Sequence, residues 1–132
     1  MNLTVKIGKR NIACEWAEHR NLLIRGIVRP AIEFTFPAEA INLDALLILV
    51  NNPENTQTIV ITNNEAFPVI DENGQETGQV YSPTETLTGY TVRSEECITF
   101  KSVEVEPATQ EHPAIYADKI VLQLGMAFNW EV

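Results

Sequence analysis

The sequence predicts a mainly β domain, or an α+β one: an antiparallel sandwich or barrel-like sheet with one short helix around residues 42–50. Three observations carry this expectation. First, Ile120, Leu122, Leu124, Met126, Phe128 and Trp130 take every second position near the C-terminus. A strand turns successive side chains to opposite faces, so this spacing gathers six large apolar groups on one side, which a period of 3.6 cannot do. Second, Leu3–Cys14 shows the same alternation on both sides of a glycine turn. Third, only Asn42–Val50 carries helical spacing.

In chain order, Leu3, Val5 and Ile7 alternate with Thr4 and Lys6, and Ile12 and Cys14 resume the alternation after Gly8-Lys9. Gly-X as a two-residue loop signals a type II′ hairpin. Its register sets Ile7 opposite Arg10, Val5 opposite Ile12 and Leu3 opposite Cys14, with Trp16 extending the buried face. Glu15–Gly26 is irregular and reads as a loop or one turn of helix. Pro30 holds Arg29 extended, and Ile32, Phe34 and Phe36 then alternate until Pro37 ends the strand.

Asn42 is suited to cap a helix, Asp44 complements the positive end of its dipole, and Ile41 and Leu46 occupy the positions of a hydrophobic staple. Leu43, Leu46, Leu47 and Val50 share one face, and Asn51-Asn52-Pro53 stops the run. Ile48 and Leu49 widen the apolar surface, so the segment is a deeply buried helix or else a strand. Thr56–Thr62 returns to β with Ile59 and Ile61 inward. Phe67–Ile70 and Gln75–Tyr81 flank Asn73-Gly74, the strongest short hairpin signal, which pairs Phe67 with Val80. Beyond Pro83, Tyr90, Val92, Ile98 and Phe100 share even numbering. Val103 and Val105 are odd, the slip a bulge near Lys101-Ser102 produces. The segment Ile120–Trp130 closes the fold as one long strand, with Gly125 the place for a bend.

The chain of 132 residues is expected to be a single β-rich domain spanning 1–132. Its 18 acidic and nine basic residues give a formal charge of −9. Such a surface repels nucleic-acid phosphates and anionic lipid, so neither nucleic acid nor membrane is an expected partner. The longest apolar run, Ala45–Val50, falls far short of a membrane span, and Met1–Trp16 lacks the apolar core of a secretory signal. Cys14 and Cys97 form no framework and read as free buried thiols, consistent with a cytoplasmic protein.

The chemistry of catalysis is sparse. His19 and His112 stand apart, outside any His-Glu-x-x-His or Cys-x-x-Cys setting. Ser82, Ser94 and Ser102 lie on or near strands rather than in a nucleophile elbow. Gly74–Gly78 is too short for a phosphate loop, and Glu76 stands where a calcium loop requires glycine. Glu95 and Glu96, as strand neighbours, point to opposite faces. No catalytic, cofactor-binding or metal-binding residue is assigned, no cofactor is expected, and the chain reads as a non-enzyme. Trp16, Tyr81, Tyr116 and Trp130 offer aromatic surface that could stack a sugar, as in β-sandwich carbohydrate-binding modules.

The order of an N-terminal hairpin, Arg29-Pro30 before a strand, Asn42-Leu43-Asp44-Ala45-Leu46 opening a helix, Thr58–Ile61, Leu87–Val92 and Asp118–Leu124 resembles a known group. It is similar to the small uncharacterised proteins encoded among tail and baseplate genes of prophages in Gram-positive bacteria. The resemblance implies a structural or assembly role, possession of a protein partner or homo-oligomer, a virion-associated location, and no catalytic residues. The Asp71–Pro83 hairpin and the tail beyond Gly125 are longer than that group leads one to expect.

The closing strand adds a candidate interface. Each of its six large apolar groups is worth about 1.5–3 kcal/mol when buried, and the helix with the strands around Phe34 and Phe100 covers only five or six residues. Met126, Phe128 and Trp130 therefore overhang and are expected to pack on a second copy or a neighbouring protein. The alternative is that Gly125 bends the chain and turns all six into one core.

Overall fold

The computed structural model describes residues 2–131. Alternating strands come first. β1 (Leu3–Ile7) and β2 (Arg10–Cys14) form the expected hairpin, with Leu3 opposite Cys14, Val5 opposite Ile12 and Ile7 opposite Arg10. Leu3, Val5, Ile7, Ile12 and Cys14 are all buried.

The segment expected as a loop is instead β3 (Trp16–Ile24), joined to β4 (Ile27–Pro37) through Arg25-Gly26. Both turn residues have positive φ, as a two-residue type I′ turn requires. The period-2 signal is missing because β3 is an edge strand, exposed along most of its length. Trp16 belongs to this second sheet and is exposed; it does not extend the hairpin's buried face.

α1 (Leu43–Asn51) settles the helix-or-strand question in favour of helix. Asn42 Oδ1 accepts from the Asp44 amide at 2.8 Å and the Ala45 amide at 3.4 Å. Ile41, Leu46 and Val50 are buried, whereas Leu47 and Ile48 face outward. Asn52 ends α1 and caps the short α2 (Pro53–Thr56), which leads into β5 (Thr58–Asn63) with Ile59 and Ile61 inward.

β6 (Phe67–Ile70) and β7 (Glu76–Tyr81) make the second hairpin, but Phe67 pairs with Tyr81 rather than Val80. The turn is longer than Asn-Gly alone. The Gly74 amide donates to Asp71 O, and the Asp71 amide to Gln75 O. Gly74 sits at φ +79°, while Asn73 keeps negative φ. The loop therefore holds three residues and sets Ile70 opposite Glu76, and a bulge between Pro68 and Ile70 then carries Phe67 on to Tyr81.

β8 (Thr84–Thr88) precedes a loop through Tyr90 and Val92, both buried. β9 (Ile98–Glu106) and β10 (Ile115–Gly125) complete the chain's strands. The register slip lies at Val105, where Ile115 opposes Glu106 and Tyr116 opposes Glu104, not at Lys101-Ser102.

The closing strand has the expected eleven residues but is displaced toward the N-terminus, ending at Gly125. Ile120, Leu122 and Leu124 alternate inward as anticipated. Beyond Gly125 the chain leaves the sheet and makes a 3-10 turn, Asn129–Glu131. The strand Ile120–Trp130 is thus corrected: the last three alternating positions are not strand.

Two four-stranded antiparallel sheets, β2-β1-β5-β8 and β3-β4-β10-β9, pack face to face. Their inward residues share one core, including Val5, Ile59, Phe34 and Leu122, with Leu46 and Val50 from α1. The architecture is a mainly β sandwich; it does not close into a barrel. The two β6–β7 strands pair with each other alone. β2 passes into β3 through Glu15, whose amide donates to Thr35 O at 2.9 Å.

Candidate interaction surface

The surface begins at the residue that ends β10. A Cβ added at Gly125 would lie 2.7 Å from Arg29 Cδ and 2.9 Å from Ile24 Cδ1, so only glycine lets Arg29 lie flat across this strand. The Gly125 and Val92 backbones exchange two hydrogen bonds, the Met126 amide donates to Pro30 O at 2.8 Å, and the Ala127 amide donates to Gly89 O at 2.9 Å. These bonds turn residues 126–131 over the outer face of the β3–β4 hairpin. Ile24, Ala31 and Val92, with Leu22 and Ala127 packed on them, form a second, smaller apolar cluster there.

Arg29 is the centre of this arrangement, with a side chain that is 0% exposed. Its Nε donates to Ile24 O at 3.2 Å and its Nη1 to Met126 O at 3.1 Å. The Glu131 carboxylate accepts from Nη1 at 2.5 Å and Nη2 at 3.1 Å, a two-pronged pairing. The guanidinium carbon lies 5.3 Å from the centre of the Phe128 ring, within cation–π range. A buried charge is tolerated only when paired and hydrogen-bonded, and here both conditions hold. The Glu131 carboxyl is held below its usual range, first by the Arg29 hydrogen bond and then by the Phe128 amide.

Of the three residues singled out from the sequence, Met126 packs half-buried against the main core. Phe128 stacks on Trp130, with ring centres 6.0 Å apart and planes 8° apart. Trp130 is 71% exposed. Periodicity did not point to Arg29 or Glu131: Arg29 shares its strand face with Glu33 and Thr35, a pattern that reads as solvated. The one sequence clue was Gly125, a residue without a side chain beside an arginine's stem.

Two further surfaces lie at the other end of the sandwich. The β6–β7 ribbon exposes Phe67, Ile70, Val80 and Tyr81. The outer part of β10, from Ile115 to Asp118, extends past β4 and pairs with β9 only, exposing Val105, Ile115 and Tyr116. Phe100 is exposed as well, so on β9, which lies beside β10, it is Ile98 rather than Phe100 that packs on the core.

The other candidates stay dispersed. His19 Nε2 lies 2.6 Å from Glu85 Oε1 on the surface, while His112 lies in the loop after β9. Asp71 Oδ1 accepts from the Asn73 and Gln75 amides, so that carboxylate organises its turn. Glu95 and Glu96 line an open cleft with Leu23, Arg25 and Arg93. Cys14 and Cys97 are buried free thiols, and burial pushes the Cys14 thiol up to about 11. Trp16, Tyr81, Tyr116 and Trp130 sit on four separate elements, and no two of them stack on each other among the described residues. No group of three or more His, Cys, Asp or Glu side chains among the described residues is placed to hold a metal ion. None of their helices is long and apolar enough to cross a membrane. No family model, curated protein or solved structure matches this chain.

Proposed function

We propose that the chain is a non-catalytic structural or assembly protein that works through protein contacts, as an accessory subunit of a phage tail does. The observation that carries the reading is the pair of ribbons. A two-stranded ribbon is marginal alone in water, and large exposed apolar groups along it favour a covering partner. Phe67, Ile70, Val80, Tyr81, Ile115 and Tyr116 supply such groups. The tail assignment rests on the likeness of element order and short motifs described above; with it goes a virion-associated location, against a cytoplasmic one for an assembly factor left behind. Co-expression with the products of the adjoining genes, followed by size-exclusion chromatography, tests the reading. Co-elution with a tail or baseplate component is the expected result. Elution of the chain alone in every combination would overturn it.

A carbohydrate-binding module is the second reading, favoured by the Phe128–Trp130 stack with its exposed indole. Titration with oligosaccharides would then shift tryptophan fluorescence, and Trp130→Ala would abolish the shift.

A further inference from the structure

Charge is unevenly distributed along the sandwich. One end is formed by the β1–β2 turn, the Arg25-Gly26 turn, the end of α1, the loop after β8 and residues 126–131. Hydrogen bonds from the Gly8 amide to Asn55 O, the Gly89 amide to Gln57 O and the Ala127 amide to Gly89 O tie these pieces together. Lys6, Lys9, Arg10, Arg25, Arg29 and Arg93, six of the nine basic residues, lie there with four acidic ones, Glu54, Glu95, Glu96 and Glu131; Arg29 is buried in its pair with Glu131, and the exposed groups leave this end net basic. The opposite end carries both ribbons. Asp71, Glu72 and Glu76 on one, and Glu104, Glu106, Glu111 and Asp118 on or beside the other, place seven of the 18 acidic residues on them. All seven are exposed, and the β6–β7 ribbon has no basic residue.

Apolar surface accompanies the charge at both ends. Leu23 and Val28, paired across the β3–β4 hairpin beside Arg25, are 70% and 66% exposed. On the ribbons, Val80 and Tyr116 are 67% and 60% exposed. A net charge of −9 spread evenly would drive copies apart, but an uneven distribution lets the net basic end of one meet the acidic end of another.

We propose that copies of this chain associate head to tail, the basic end of one sandwich receiving the acidic ribbons of the next. The proposal rests on the assembly reading and names its partner as a second copy. Each copy presents both surfaces, so the contact is heterologous and repeats until a ring closes or a filament grows. Complementary charge steers and orients the encounter, and Leu23 and Val28 are covered by the apolar side chains of the ribbons. Screening shortens the reach of charge from about 8 Å at 0.15 M salt to about 3 Å at 1 M, so salt weakens the contact.

Sedimentation velocity over a range of concentrations, at about 0.05 M and about 1 M salt, tests the proposal. Mass is expected to rise with concentration at low salt, with association weaker by about tenfold or more at high salt. Two charge reversals on exposed residues extend the test: Lys9→Glu with Arg10→Glu and Arg25→Glu, and Glu72→Lys with Glu76→Lys and Glu104→Lys. Circular dichroism checks that each variant is folded. Each alone is expected to be monomeric, and their mixture to form a complex, because one keeps native ribbons and the other a native basic end. Association that ignores salt and survives both reversals would overturn the head-to-tail contact. So would a monomer under all conditions. The co-expression experiment reports on the assembly reading independently of either outcome.

Discussion

The Arg29 guanidinium and the Glu131 carboxylate meet through two hydrogen bonds, 102 positions apart in the chain. With the bonds of the Met126 and Ala127 amides to Pro30 and Gly89, the pair fastens residues 126–131 to the sandwich. The pair turns what began as an apolar strand end into a folded strap, and it makes Arg29 the residue on which the strap depends.

Arg29→Met should therefore cost more than its change in size suggests. The substitution keeps a long side chain but leaves the Ile24 and Met126 carbonyls without their donor. Each buried group left unpaired costs about 1–3 kcal/mol. The expected loss is about 2 kcal/mol or more, read from the midpoint of urea unfolding. A midpoint equal to that of the parent would show that the guanidinium holds nothing in place.

Gly125→Ala tests the same region from the other side. The new methyl would enter within 2.7 Å of Arg29 Cδ. Arginine stems usually swing aside, but this one is held at Nε, Nη1 and Nη2. The expected destabilisation is about 1–3 kcal/mol, as for an overpacked core. It should shrink when Gly125→Ala is combined with Arg29→Ala, which a double-mutant cycle in urea measures.

The acid dependence has a definite sign. Arg29 and the Phe128 amide hold the Glu131 carboxyl below its usual 4.5, so the unfolded chain takes up the proton more readily than the folded one. The stability this contributes is present above that usual value and is lost as pH falls through the lower folded value. Between about pH 5 and about pH 3, the thermal midpoint of the parent should fall further than that of Glu131→Gln. Parallel curves for the two proteins would contradict the pairing.

Cys14 should resist alkylation. Its thiol is buried and donates to Trp16 O at 3.1 Å and Thr35 O at 3.4 Å, and burial moves its pKa up to about 11. Thiolate is the reactive species, so iodoacetamide at pH 8 should modify Cys14 only after denaturant is added. Mass spectrometry of the peptide reads the result. The same shift makes folding less favourable as pH rises above 9.0, where the unfolded thiol ionises and the folded one does not.

Gly74→Val should loosen the β6–β7 ribbon while leaving the sandwich intact. Gly74 lies at φ +79° with open space around it, so the penalty is in the backbone alone and is on the order of 1 kcal/mol. The ribbon pairs with no other strand, so little of that penalty reaches the core. Faster amide exchange confined to residues 67–81 is the expected result. A fall in the global unfolding midpoint equal to the full penalty would mean that ribbon and sandwich unfold together.

The legible parts of the fold were those where two local signals agreed. The β1–β2 register followed from a glycine turn and from alternation that points Val5 and Ile12 the same way. α1 followed from a cap at Asn42 and a stripe through Leu46 and Val50. β3 was illegible because its Trp16, Glu18 and Arg20 face solvent and, of Ala17, His19 and Asn21 on the other face, only Ala17 gains partial cover, so neither face writes a pattern. The β6–β7 register was misread because Asn73-Gly74 suggests two loop residues where the backbone uses three, and because a bulge between Pro68 and Ile70 shifts the pairing again. At the C-terminus, alternation continues through Met126, Phe128 and Trp130 after the strand has ended. Sequence spacing cannot register that Gly125 lets Arg29 cross there and that the chain turns to cover it. The ribbon surfaces were invisible for a related reason: Val80 and Tyr116 look like core residues until the sheet above them is seen to stop short.

The passage of β2 into β3 through the single residue Glu15 has a mechanical consequence. One ribbon hangs from the first sheet and the other from the second, so tension between them must cross from sheet to sheet. A long connecting loop would stretch under that load before transmitting it. Covalently the ribbons are joined by residues 89–97 between β8 and β9, which is such a loop; the crossing at Glu15, fastened by its amide to Thr35, offers a shorter path that load reaches through the hydrogen bonds between β5, β1 and β2. Shear between the two sheets is thereby resisted at this corner before the loop draws tight.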